Sequence, residues 1–287
     1  MSDVRQILSA TGIADVGSLY SSAEIALLNA ALDPFFAARA SQPRSYAYSG
    51  DMLELGIFDH VLSPVVIRTF FDVLDDPVLY HFHVYEIAGR SDKSHIFSDE
   101  LDGWHRDPDS VFEPGQATHV SLFVYLSDVG PESGPFQFLP GRAKGGFATG
   151  IPSVSQMGMA GTAFLWNRNF FHRAAPNRSA VRRRLLKISI QNNRFPSRHL
   201  AAAHFAPTLA ARRDASPWHQ ILLGAFQGHD APVVAKPGID RLVTYAPSSA
   251  NSRIDVSAYA TMKHSLKHRV KSLMRPQAAS MAEAAYD

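Results

Sequence analysis

From Val78 to Asn193 the chain repeatedly alternates apolar and polar side chains with a period of two. Successive side chains of a strand point to opposite faces, so this spacing reads as extended backbone. Val78–Ile87, Thr118–Ser127, Pro135–Leu139, Gly161–Trp166 and Arg183–Asn193 are the predicted strands. Turn-rich segments such as Val129-Gly130-Pro131-Glu132-Ser133-Gly134 and Pro140-Gly141-Arg142 separate them. Many strands at short spacing, with no helical pattern between them, predict an antiparallel sandwich or barrel.

Two of these strands have unlike faces. Val120, Leu122, Val124 and Leu126 alternate with His119, Ser121, Phe123, Tyr125 and Ser127. Leu186, Ile188 and Ile190 alternate with Arg183, Lys187, Ser189 and Gln191. The aliphatic faces suit packing under helices. The pattern leaves open whether the other faces line a cavity or meet bulk water.

Helices are predicted on either side of this region. Ser21-Ser22-Ala23-Glu24 has the form of a capping box, and Ile25, Leu28, Ala31, Leu32 and Phe35 follow at helical spacing. Pro34 predicts that this helix ends near Asp33. A second helix is expected from Pro64 to Leu74, stopping at Asp75-Asp76-Pro77. Asp255–Met274 reads as a helix with a basic outer face that includes Lys263, Lys267 and Lys271, and Pro276–Asp287 reads as a loose tail. The expected organisation is one domain: a helical region over 1–77, a β core over 78–195, and a helical and loop region over 196–287.

Composition narrows the chemistry. The 287 residues hold 28 Lys+Arg against 26 Asp+Glu, a net charge of +2, so charge supplies no reason to expect a nucleic-acid partner. There is no cysteine, which excludes disulfides, thiol chemistry and Cys-based zinc sites. Any metal must be held by His and carboxylates. Met1–Asp15 lacks a long apolar core, so no signal peptide is expected, and no stretch approaches the roughly 20 apolar residues that span a bilayer. A cytoplasmic protein without membrane attachment is expected.

Trp104-His105-Arg106-Asp107 places an imidazole and a carboxylate two residues apart, on one side of an extended backbone. His172, just after the predicted strand Gly161–Trp166, is the natural third ligand. Two histidines and one carboxylate on one face of an octahedral ion leave three positions open, the arrangement associated with non-haem Fe(II) oxygenases. A bidentate 2-oxo acid needs two of these positions and dioxygen needs one. A dicarboxylic cosubstrate also needs a cation at its far end, for which planar Arg is better suited than Lys. Among Arg182, Arg183 and Arg184, parity selects Arg183, which shares the face of Lys187, Ser189 and Gln191.

These residues resemble the phytanoyl-CoA dioxygenase family of Fe(II)/2-oxoglutarate oxygenases. The similarity is carried by Trp104-His105-Arg106-Asp107, by the run from Leu126 through Gly134-Pro135 to Leu139-Pro140-Gly141, and by His172 with Asn177, Ser179 and Arg183. In the family the 2-oxoglutarate Arg typically follows the distal His by eleven residues, the spacing of His172 and Arg183 here. The resemblance implies a mainly β fold with flanking helices, a double-stranded β-helix (jelly-roll, cupin-like) barrel. It implies iron ligation by His105, Asp107 and His172, cosubstrate binding by Arg183 with Phe123 beside it, and Fe(II), 2-oxoglutarate and O2 as cofactors. The implied reaction is hydroxylation of an aliphatic C–H in a small-molecule substrate, with release of succinate and CO2. Two positions depart from the family pattern: Ala174 stands where Ser or Thr often assists the cosubstrate carboxylate, and Arg142-Ala143 replaces Ser-His after the Leu-Pro-Gly segment. Arg142, Tyr85 and Trp104 are the candidate substrate contacts.

Other readings compete. The same chemistry can be diverted to oxidative cyclisation or desaturation in secondary metabolism. A non-catalytic cupin-like barrel is a further alternative, as is a metal site on His81-x-His83 with Glu86, although Glu86 falls on the opposite face of a regular strand. A halogenase would lack the carboxylate, so Asp107 favours hydroxylation. His105-Arg106-Asp107 also spells a kinase tripeptide, but Phe112 stands where a kinase needs Asn and no Gly-rich nucleotide loop is present.

Overall fold

The alternation is realised as two antiparallel sheets. The computed structural model describes residues 2–75, 77–91, 102–107, 115–140, 150, 152–192, 233–235 and 242–244. Its elements run α1 (Ser2–Thr11), β1 (Ile13–Ser18), α2 (Ser22–Ala37), β2 (Arg44–Tyr48), α3 (Ser49–Glu54), α4 (Phe58–Val61) and α5 (Pro64–Val73). There follow β3 (Pro77–Ile87), β4 (His119–Tyr125), β5 (Phe136–Phe138), β6 (Val154–Gln156), β7 (Thr162–Asn167), β8 (His172–Ala174) and β9 (Arg183–Asn192), then a separate pair, β10 (Val233–Ala235) and β11 (Leu242–Thr244). The large sheet has the order β1-β7-β4-β9-β3-β2 and the small one β6-β5-β8.

The large sheet is buried on both faces. Val120, Leu122, Val124, Leu186, Ile188 and Ile190 pack with Leu28, Leu32 and Phe36 of α2 and with Val66, Ile67 and Phe70 of α5. Burying one such side chain stabilises the fold by about 1.5–3 kcal/mol. On the opposite face Tyr85, Phe123, Tyr125, Phe164, Trp166 and Leu185 meet Phe136 and Phe138 of the small sheet. The face that sequence pattern left undecided is therefore an interior. Tyr125 ties the two sheets together: its hydroxyl donates to the Gln156 carbonyl at 2.8 Å and accepts from the Phe136 amide at 3.2 Å.

The structure corrects several expectations. Helix α2 does not end near Asp33 but runs through Pro34 to Ala37. An internal proline costs a helix about 3 kcal/mol, through one lost hydrogen bond and a clash with the preceding turn. Packing offsets this, because Leu32 and Phe36 are both buried one turn apart on the stripe facing the sheet, and the Arg184 guanidinium lies 4.9 Å from the Phe36 ring centre. The predicted capping box is present, with the Ser21 amide donating to Glu24 at 2.7 Å and the Glu24 amide donating to Ser21 Oγ at 3.2 Å. Strands β1, β2, β6 and β8 were not legible as strands. Strands β6 and β8 have three residues each, and β1 changes register between Asp15 and Gly17, so these three carry no sustained run of alternation. Arg142, the helix over Asp255–Met274 and the tail over Pro276–Asp287 lie outside the described residues. Among the described residues no helix is long and apolar enough to cross a membrane.

One glycine fixes how the small sheet meets the strand carrying His172. Gly134 has φ +70°, and a Cβ there would stand 2.8 Å from the Ala175 carbonyl oxygen. Its neighbours already bind that segment, with Ser133 bridging Asn177 and the Ala175 amide donating to the Pro135 carbonyl at 2.9 Å. Gly134→Ala is expected to lower unfolding stability by about 1–3 kcal/mol, the cost of a non-glycine residue in left-handed backbone. Chemical denaturation checks this, and a variant as stable as the wild type would contradict it.

Candidate metal centre

His105 and His172 are paired backbone to backbone. The His105 amide donates to the His172 carbonyl at 3.1 Å, and the His172 amide returns the bond to His105 at 3.0 Å. This antiparallel bridge sets the two imidazoles side by side, their ring centres 4.2 Å apart. Asp107, two residues on from His105, falls on the same side, as parity predicts. The ligand-capable atoms of His105, Asp107 and His172 all lie within 4.8 Å of one another, and His172 Nε2 is 3.8 Å from Asp107 Oδ2. Among the described residues this is the group of His, Asp and Glu side chains able to hold a metal ion.

Local contacts set the chemical state of each group. His105 Nδ1 lies 2.8 Å from the Gly103 carbonyl, and His172 Nδ1 lies 2.9 Å from the Phe170 carbonyl. A carbonyl can only accept, so both Nδ1 atoms carry the proton and both Nε2 atoms keep a lone pair for a metal. Burial pushes the His172 imidazole down to about 3, against the pull of Asp107, and burial likewise lowers His105. Both rings are therefore neutral at pH 7. Burial alone would raise the Asp107 carboxyl, but the cationic Arg168 and Lys187 hold it well below the usual carboxylate range.

Sequence reading missed Arg168. Its Nη2 lies 2.9 Å from Asp107 Oδ2, and its Nη1 donates to Ser189 Oγ at 3.0 Å. Ser189 Oγ lies 2.8 Å from Ser121 Oγ, so a polar chain runs from the inner faces of β9 and β4 through Arg168 to the carboxylate. The inner-face serines were visible in the alternation. Arg168 lies one residue beyond β7, where its parity with Phe164 and Trp166 was the available signal.

Arg183 points inward as parity predicted, and it is 2% exposed. Its Nη2 donates to the Tyr85 hydroxyl at 3.4 Å, while Nε and Nη1 have no hydrogen-bond partner among the described residues. Arg182 and Arg184 point the other way, and both pair with Glu86. That occupies the carboxylate of the rival site on the outward face, while His83 packs among Tyr46, Tyr48 and Tyr85. Phe123 and Tyr85 lie in the inner aromatic cluster. Trp104 is not brought there. It packs with Leu139 and Phe171, with the Arg173 guanidinium 4.8 Å from its ring centre. The indole beside the triad is Trp166, whose ring centre is 4.0 Å from that of His172. Asn177 is buried and hydrogen-bonded to Val181 and Ser179, a structural tie of the loop before β9.

The family profile for phytanoyl-CoA dioxygenase (PhyH) matches residues 9–185. The chain belongs to that family. It is a 2-oxoglutarate-dependent non-haem iron oxygenase, with Fe(II), 2-oxoglutarate and O2 as cofactors. No curated protein sequence matches the chain. Among solved structures it is similar to AviO1 from Streptomyces viridochromogenes Tue57, with a TM-score of 0.56 at 16% identity over 67% of this chain and 95% of that one. It is also similar to the epimerase SnoN in complex with Fe3+, alpha-ketoglutarate and nogalamycin RO, with a TM-score of 0.51 at 16% identity over 66% and 82%. A third is the alpha-ketoglutarate-dependent carbocyclase SnoK from nogalamycin biosynthesis, with a TM-score of 0.52 at 13% identity over 67% and 84%. These likenesses establish the double-stranded β-helix fold.

The neutral state of His172 has a measurable consequence in metal-free protein. Unfolded chains protonate His near pH 6.5, whereas folded His172 does so only at about 3. Between those values the unfolded state holds the extra proton, so stability falls as pH drops, on the order of 1 kcal/mol per pH unit. In urea titrations of chelator-stripped protein at pH 7, 6, 5 and 4, His172→Gln is expected to lose that part of the slope. Parallel profiles for wild type and variant would contradict the buried, neutral imidazole.

Proposed function

We propose that the protein hydroxylates an aliphatic C–H of a small-molecule substrate. One oxygen atom of O2 enters the new alcohol and the other enters succinate, formed as 2-oxoglutarate loses CO2. His105, Asp107 and His172 hold the iron, and Arg183 holds the distal carboxylate of 2-oxoglutarate. The observation that carries this reading is the convergence of two Nε2 lone pairs and one ionised carboxylate, with a buried, under-partnered guanidinium on the wall of the same interior.

When bound, iron supplies the activation of dioxygen, and 2-oxoglutarate supplies two of the electrons that the reaction consumes. The chain positions and shields. The two backbone carbonyls fix both histidine tautomers, and Arg168 holds the Asp107 carboxylate through an ion pair at 2.9 Å. Arg183 offers an incoming carboxylate its Nε and Nη1, which have no hydrogen-bond partner among the described residues. Burial pushes the Tyr125 phenol up to about 12, so it remains a neutral strut between the sheets. Phe123, Phe136, Phe164 and Trp166 exclude water from this side of the triad. Tyr85 supports Arg183 through its hydroxyl, and Trp104 supports the triad segment from outside rather than touching substrate. Arg142 remains a proposed substrate contact.

Oxidative cyclisation or desaturation is the second reading. Similarly folded proteins named as a carbocyclase and an epimerase show that this scaffold carries outcomes other than hydroxylation. Product mass separates the readings, since hydroxylation adds one oxygen atom while cyclisation and desaturation remove two hydrogens.

Succinate release from 2-oxoglutarate with Fe(II) and O2 tests the proposal. Asp107→Ala and His172→Ala are expected to reduce it to background. Arg183→Met is expected to raise the 2-oxoglutarate KM by about tenfold or more, the loss of a charge-assisted contact, with iron retained. The same variant is expected to stabilise the ligand-free protein, because it removes a buried charge that lacks full hydrogen bonding. A chain that binds ligand but never forms succinate across a substrate screen would be a non-catalytic barrel.

A further inference from the structure

Arg183 and Lys187 lie four residues apart on the inner face of β9, with Leu185 between them; Arg183 pairs with Ile87 of β3, and Lys187 pairs with His83 of β3 on one side and Phe123 of β4 on the other. The Arg183 guanidinium carbon is 5.7 Å from the Tyr85 ring centre. Lys187 Nζ is 5.5 Å from the Trp166 ring centre and 5.7 Å from that of Phe123, and Trp166 itself stacks beside His172. Lys187 is thus the cation of β9 on the triad side, and Arg183 is the cation beyond it. We propose that Lys187 holds the carboxylate at the oxo-acid end of 2-oxoglutarate, so that two cations on one strand bracket the two charged ends of the cosubstrate. This rests on the functional reading above and extends it.

Three observations converge on that assignment. The first is the lack of a neutral donor on β8, where Ala174 shares the side of His172 and offers only a methyl group. A carboxylate entering an aromatic-walled interior must find charged or hydrogen-bonding partners there. The second is position: Arg168 meets Asp107 and Ser189, and Lys187 brings a second cation to the triad side, its Nζ 5.5 Å from the ring centre of the Trp166 that packs beside His172. The third is the charge balance of the interior, where Arg168 and Lys187 act on the carboxylate of Asp107 and the buried Arg183 adds a further cation, leaving a positive excess that a dicarboxylate neutralises. Lys187 lowers the proton affinity of His105, Asp107 and His172 alike, so its charge is felt across the whole triad. The Trp166 indole N–H, buried and without an acceptor among the described residues, is a further donor beside it.

The test uses full-length protein loaded with Mn(II), so that binding is read without turnover. Calorimetric titration compares 2-oxoglutarate with 2-oxobutyrate, which shares the oxo-acid end and lacks the distal carboxylate. Lys187→Met is expected to weaken both ligands by about tenfold or more, the scale of one charge-assisted hydrogen bond. Arg183→Met is expected to weaken 2-oxoglutarate and leave 2-oxobutyrate unchanged. Mn(II) affinity of Lys187→Met is expected to be equal or tighter, since a nearby positive charge is removed, and Lys187→Arg is expected to restore binding in part. Lys187→Gln provides the same comparison if the Met variant does not fold. Unchanged 2-oxoglutarate affinity in the neutral variants overturns the proposal, as does a loss confined to 2-oxoglutarate, which would place Lys187 at the far end. Loss of Mn(II) overturns it too, because the residue would then support the metal site. If wild-type protein takes up Mn(II) but binds neither oxo acid, the functional reading itself fails.

Discussion

Two backbone hydrogen bonds between His105 and His172 bring together parts of the chain that are far apart in sequence. Everything at the centre follows from that bridge. It puts both rings on one side, and the two-residue spacing to Asp107 then delivers the carboxylate to the same place. The bridge is in turn held by the small sheet, because β8 begins at His172 and pairs with β5, whose entry is fixed by Gly134 and its close approach to Ala175. A shift of one residue in this pairing would turn His172 away and present its neighbour Arg173.

The interior also controls charge. An aromatic cluster lines it, so burial and neighbouring charges set the state of each ionisable group there. Burial keeps the histidines neutral, and Arg168 and Lys187 keep Asp107 ionised. The outward face of the same strands uses the opposite arrangement. There Arg184 is met by Glu86, Asp33 and Asn29, and its charge is spent in structural ties between the sheet and α2. Adjacent arginines on β9 thus serve different ends because a strand sends neighbours to opposite sides.

Much of this was legible in the sequence, for specific reasons. Strands β3, β4, β7 and β9 are long enough for alternation to register, and that same parity distinguished Arg183 from Arg182 and Arg184. The His105 and Asp107 pair was legible because its spacing is local. The helix end at Pro34 was misread because the burial of Phe36 against the sheet outweighs a local proline penalty, and no local signal reports that burial. Strands β6 and β8 are too short to show a period. Trp104, named as a candidate substrate contact, packs with Leu139 and Phe171 away from the inner aromatic cluster, because adjacent residues in extended backbone face opposite ways.

The sequence by itself determined a β-rich chain with two-faced strands, a cysteine-free His and carboxylate metal chemistry, and the side of β9 on which Arg183 lies. These are matters of composition and of period, which need no knowledge of what packs against what. Only the tertiary structure decided that the polar strand faces enclose an interior, that His172 meets His105, and that Arg168 and Lys187 stand beside Asp107. Those are contacts between distant segments, set by sheet register and by which surfaces the helices cover, and local spacing carries no information about either.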